Sequence, residues 1–115
     1  MKLVERILKR FQETTEEFGW ELDGSYLWEQ AEGLERSYYS AKYDIIYALL
    51  EAIKEETGED FSFIIDARGE EDDYTEFLIY KGNKVLGHYY FRPTVMEKEP
   101  FEELIEEILK KIKQK

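Results

Sequence analysis

The stretch Tyr74-Thr-Glu-Phe-Leu-Ile-Tyr-Lys-Gly82-Asn83-Lys-Val-Leu-Gly-His-Tyr-Tyr-Phe-Arg92 is two aromatic and aliphatic runs joined by a two-residue turn. Gly-Asn suits a primed hairpin turn, because both central residues of the type I′ form need positive φ and these two types tolerate it best. Counted outward from that turn, Tyr80 faces Val85, Leu78 faces Gly87, Glu76 faces Tyr89 and Tyr74 faces Phe91 on one side. Thr75, Phe77, Ile79, Leu86, His88 and Tyr90 take the other. Both faces are largely apolar, so helices are expected over one and more chain or a partner over the other.

Upstream, Phe61 to Ala67 alternates as a strand with Phe61, Phe63, Ile65 and Ala67 on one face, and the polar link Arg68 to Asp73 leads into the hairpin. Pro93 ends this three-stranded group. A helix from about Ser40 to Thr57 precedes it, with Gly58 as its C-terminal residue and a stripe of Tyr39, Lys42 or Tyr43, Ile46, Leu49, Leu50 and Ile53 facing the core. The first helix repeats Leu3, Val4, Ile7, Leu8, Phe11, Thr14 or Thr15, and Phe18 at helical spacing and stops at Gly19. The last begins at Pro100 and buries Phe101, Leu104, Ile105, Ile108, Leu109 and Ile112. Its glutamates precede its lysines, in the order that complements the helix dipole.

Residues 20–39 lose the helical period, and Asp23-Gly24 and Glu32-Gly33 signal turns. Trp20 to Leu22, Ser25 to Ala31 and Leu34 to Tyr39 read as three short strands, with a short helix from about Tyr26 to Glu32 as the alternative. The expectation is one α+β domain over residues 1–115: an antiparallel sheet of meanders and hairpins packed against three helices, in the order α-βββ-α-βββ-α. Ser25 to Tyr39 and Glu76 to Tyr90 both end in Tyr-Tyr, a weak sign of internal duplication. With small size and low pI, the element order is similar to that of type III secretion chaperones. That likeness implies a secretion-chaperone-like binder.

Composition narrows the function classes. The 115 residues contain no cysteine, which leaves no disulfide framework, thiolate zinc site or thiol nucleophile. There is no apolar run long enough to span a membrane and no secretory signal pattern, so a cytoplasmic protein is expected. Two Met and one Asn against 37% charged residues resemble a thermophile composition. The net charge of −11 is uneven: residues 12–73 carry −15, the preceding residues +3 and the following ones +1. That distribution disfavours direct binding to nucleic acid or anionic lipid and favours a basic protein partner.

No motif for catalysis, phosphate binding or metal binding is present, and no cofactor, metal or enzymatic activity is expected. His88 is the only histidine, placed opposite Phe77 with Glu76 on the other face. A strand histidine so placed has no carboxylate to activate it. The run 69–73 lacks the alternating ligands of a calcium loop. The unusual feature is nine tyrosines and two tryptophans, residue types enriched at interfaces. Non-enzymatic protein binding is therefore the leading expectation, by a homodimeric scaffold whose contact residues would be Tyr74, Tyr80, Tyr89 and Phe91 on the hairpin and Glu51, Glu55 and Glu56 in the acidic segment. The alternative is a nucleic-acid-mimicking inhibitor of a nuclease or defence effector, using carboxylates from Glu13 to Glu56 in rows.

Overall fold

The computed structural model describes residues 1–68 and 74–113. Four helices, α1 (Leu3–Phe18), α2 (Leu27–Gly33), α3 (Tyr38–Thr57) and α4 (Lys98–Lys113), accompany strands β1 (Ser62–Asp66), β2 (Thr75–Lys81) and β3 (Lys84–Phe91). The strands form one antiparallel sheet in the order β1-β2-β3, giving the expected α+β architecture. The acidic run 69–73, considered above for a cation, lies outside the described residues. Among the described residues, no helix is long and apolar enough to cross a membrane.

α3 is the centre of the packing. Ser37 caps its start by accepting from the Ser40 amide, and Gly58 closes it at φ 70°. α1 and α2 pack against it from one side and the sheet from another, while α4 covers β3 and touches α1. Serving several neighbours, α3 buries Ala41, Lys42, Ile45, Ile46, Ala48, Leu49, Leu50, Ala52 and Ile53. This is wider than a single stripe, and it corrects the expectation for Tyr39, which stays exposed. α1 and α4 each show one apolar face to the core. All six residues expected inside α4 are buried, although the helix starts two residues ahead of Pro100.

The largest departure lies between α1 and α3. Instead of a three-stranded meander, residues 20–37 make one anchored turn and the short helix α2, which matches the alternative reading of a helix from about Tyr26 to Glu32, and the first group of strands is replaced. Gly19 adopts φ 99° and the Trp20 amide bonds the Thr15 carbonyl at 2.8 Å, which reverses the chain and turns Trp20 inward. Its indole is fully buried, donates to Asp44 at 3.1 Å, and lies under the Arg36 guanidinium at 5.2 Å. The extended residues that do follow pair elsewhere: Gly24 and Leu27 donate to the carbonyls of Met96 and Thr94, and Tyr26 bridges Val95. The suggested duplication fails with them, because Ser25 to Tyr39 is mostly helical where Glu76 to Tyr90 is strand. The element order that carried the likeness to secretion chaperones is altered at the same place.

Candidate protein-binding face

The hairpin turns at the expected pair, with Gly82 at φ 57° and Tyr80 opposite Val85, but Asn83 does not share the positive φ that the type I′ form requires. A bulge then intervenes, and the next pair is Ile79 with Gly87. An extra residue on one strand shifts everything beyond it to the other face. Phe77 therefore pairs with Tyr89, Leu78 with His88, Glu76 with Tyr90 and Thr75 with Phe91. Position 87 requires glycine, because the Tyr89 ring folds over it so closely that a Cβ there would meet the ring at 2.6 Å.

This shift corrects three expectations together. Tyr89 is only 7% exposed and stacks on Phe77 at 5.0 Å, so it is a core residue, and it no longer shares a face with Tyr80. Phe91 packs on Phe101 at 5.5 Å on the same inner side. Burial, then the charge of Glu107, pushes the Tyr89 phenol up to about 12. His88 moves outward, where its Nε2 lies 2.8 Å from Glu76 Oε2 instead of sitting opposite Phe77.

The outward face thus carries Ile64 from β1, Leu78 and Tyr80 from β2, and Val85, His88 and Tyr90 from β3. Ile64, Val85 and Tyr90 are 57%, 54% and 64% exposed, whereas Phe77 and Ile79 on the inner face are closed off. A depression of about 300 Å³ opens between Ile64, Asp66, Glu76, Leu78 and His88. One row of polar groups crosses this apolar surface. Hydrogen bonds from His88 and then Tyr90 hold the Glu76 carboxyl below its ordinary range, and the same carboxylate raises the Tyr90 phenol. Asp66, opposite Glu76, is lowered to about 2 by the Arg68 guanidinium and amide. Tyr74 and Arg92 continue the pattern, the guanidinium 4.5 Å above the ring.

The acidic candidates are placed differently. Arg10 bonds Glu55 and Glu56 at 2.6 Å each, and Arg6 bonds Glu56 at 3.2 Å, tying α1 to the end of α3. Asp23 accepts from Ser25 and Gln30, and Asp44 from Trp20. Glu51 is half-buried on α3. These carboxylates are thus spread over α3 and the turn before α2, outside the hairpin. Among the described residues, no three His, Asp or Glu side chains gather as a metal site.

The aromatic surface that sequence reasoning missed is a stripe on α3, where Tyr39 and, as an alternative to Lys42, Tyr43 were expected to face the core. Tyr39, Tyr43 and Tyr47 recur at four-residue spacing and remain exposed. Tyr43 stacks on Tyr47, and Tyr47 meets Phe63 of β1 edge-on at 5.9 Å. Their spacing was readable; that α3 leaves this side open was not. No protein-family model, curated protein or solved structure matches the chain.

Proposed function

We propose that this is a non-enzymatic protein-binding module whose outward sheet face receives an amphipathic helix of a protein partner. The observation that carries the reading is the uncovered apolar surface of Ile64, Leu78, Val85 and Tyr90 on a sheet whose other face is packed against helices. Three strands about 4.8 Å apart present a strip roughly 10 Å wide, close to one helix diameter. The partner helix would lay its apolar side on Ile64, Leu78 and Val85, in the helix-on-groove mode of recognition. Basic residues flanking that side suit the net charge of −11, which would speed encounter more than it would tighten the complex.

A binding role is supported over a catalytic one by the setting of His88 and Glu76. Their side chains are 47% and 41% exposed at an open depression, where water screens charge. The Glu76, His88 and Tyr90 row then acts as a fixed polar edge that sets the register of the partner.

The test is photo-crosslinking in source lysate with a benzophenone-bearing phenylalanine at position 90, followed by sequencing of the crosslinked peptide. The expected result is a peptide with apolar residues at helical spacing and flanking Lys or Arg. Its capture should fall at least tenfold with Val85→Glu or Leu78→Glu, since a charge in the desolvated centre of an interface is costly. Equal capture by these variants and the parent would sink the reading.

A further inference from the structure

The two edges of the sheet are unlike. At the β3 edge stand the bulge and Lys84, both devices that discourage strand addition. β1 has no bulge, proline or lysine, and among the described residues its backbone bonds only β2. Beside this open edge runs the tyrosine stripe of α3, with Tyr47 against Phe63 and every ring more than a third exposed. An added strand would meet a pairing edge and an aromatic floor together.

We infer that β1 pairs with β1 of a second copy of this chain, forming a two-fold dimer with a continuous six-stranded sheet. The sequence around β1 reads Asp60-Phe-Ser-Phe-Ile64-Ile-Asp-Ala-Arg68. Two antiparallel copies centred on Ile64 set Ile64 against itself, Ser62 against Asp66 and Asp60 against Arg68. The last two pairs each occur twice by symmetry. Ser62, Ile64 and Asp66 belong to the outward face, where the hydroxyl can donate to the carboxylate, while Asp60 and Arg68 flank the strand and Arg68, already bonded to Asp66 of its own chain, attracts the partner's Asp60 as well. The neighbouring registers lose this match. Sliding one way opposes Asp60 to Asp66, and sliding the other opposes Asp66 to Ile64. Between the subunits, the Tyr43 and Tyr47 rings of one copy lie beside those of the other under the joined strands. Amphipathic aromatic rings of this kind give desolvated contact at little entropic cost. The dimer also puts both outward faces on one side, doubling the surface proposed for the partner helix without depending on it.

Sedimentation equilibrium of the full chain tests the inference. The expected result is a dimer at micromolar concentration. Ile64→Lys, which opposes two lysines at the axis, should raise the dissociation constant by roughly tenfold or more. Asp60→Arg alone and Arg68→Asp alone should each weaken the dimer, and the double variant Asp60→Arg/Arg68→Asp should restore it. The exchange also removes the Arg68–Asp66 ion pair within each chain, a solvent-exposed pair that contributes little to folding, so restoration reports on the pairing across the axis. A monomer up to 100 micromolar, on the order of the weakest affinity that would matter for a stable assembly, overturns the inference. So does a dimer indifferent to Ile64→Lys, or a double variant no better than the singles. Loss of partner capture by Val85→Glu with an intact dimer would leave this inference standing, so the two readings fail separately.

Discussion

The two faces of the sheet are built from the same kinds of residue and behave in opposite ways. Inward, Phe77, Ile79 and Tyr89 are closed off beneath α3 and α4. Outward, half-buried Leu78 and exposed Val85 and Tyr90 are also apolar or aromatic and meet no covering layer. Residue type therefore does not distinguish core from binding surface here. What separates them is the bulge between Tyr80 and Gly87, which decides whether each β3 side chain points toward the helices or away.

The sharpest way to break the comparison is to truncate one aromatic on each face. Phe77→Ala should cost about 3–5 kcal/mol, the range for deleting a packed ring and leaving a cavity. Domains of this kind are stable by roughly 5–15 kcal/mol, so that loss approaches global unfolding. Tyr90→Ala should cost less than about 1 kcal/mol, because its ring already meets water. Urea unfolding measures both. Similar losses would mean that the outward face is covered in solution even without a partner.

A second substitution acts on the element that separates the faces. Gly87→Ala puts a methyl group 2.6 Å from the Tyr89 ring. The ring cannot swing aside freely, being stacked on Phe77 within the core. Overpacking of this type costs about 1–3 kcal/mol. The effect should shrink when Gly87→Ala is combined with Tyr89→Ala, since the clash then has no second member. A double-mutant cycle with no coupling would place the role of Gly87 elsewhere.

How much of this was legible depends on the source of each signal. α1 and α4 have one apolar face apiece, and periodicity found them together with every buried residue of α4. The hairpin and its turn were equally open to reading, because Gly82-Asn83 states a local backbone need. The bulge was not, since alternation carries no mark of where it skips. Gly87 within a strand was the available hint. Once it was missed, Tyr89, Phe91 and His88 were each assigned to the wrong side. In residues 20–39 the strand reading failed for another reason, while the alternative short helix held. Trp20 and Arg36 are held by tertiary contacts with Asp44 and the Phe18 carbonyl, which no local pattern encodes. Glu55 and Glu56 looked like free acidic surface because Arg10, their partner, is distant in sequence.

The smallest expected effect concerns the polar row that the outward face has and the inward face lacks. Asp66 is lowered from 3.8 to about 2 by Arg68, and Glu76 is lowered by its hydrogen bonds from His88 and Tyr90. A carboxyl whose folded value lies below its unfolded one favours the folded state when ionised. That contribution is present above the unfolded value and disappears as pH falls through the folded value. For Asp66 the window runs from about pH 4 down to about 2, and for Glu76 it opens just below its own ordinary value. Because all these groups meet water, screening keeps the effect small, and added salt should shrink it further. Thermal unfolding between pH 5 and 2 should show a shallower acid loss for Asp66→Asn than for the parent chain, with Glu76→Gln acting at the upper end of the window. If the two variants follow the parent curve throughout, the row is not organised in solution, and the outward face becomes a plain apolar surface without a polar edge.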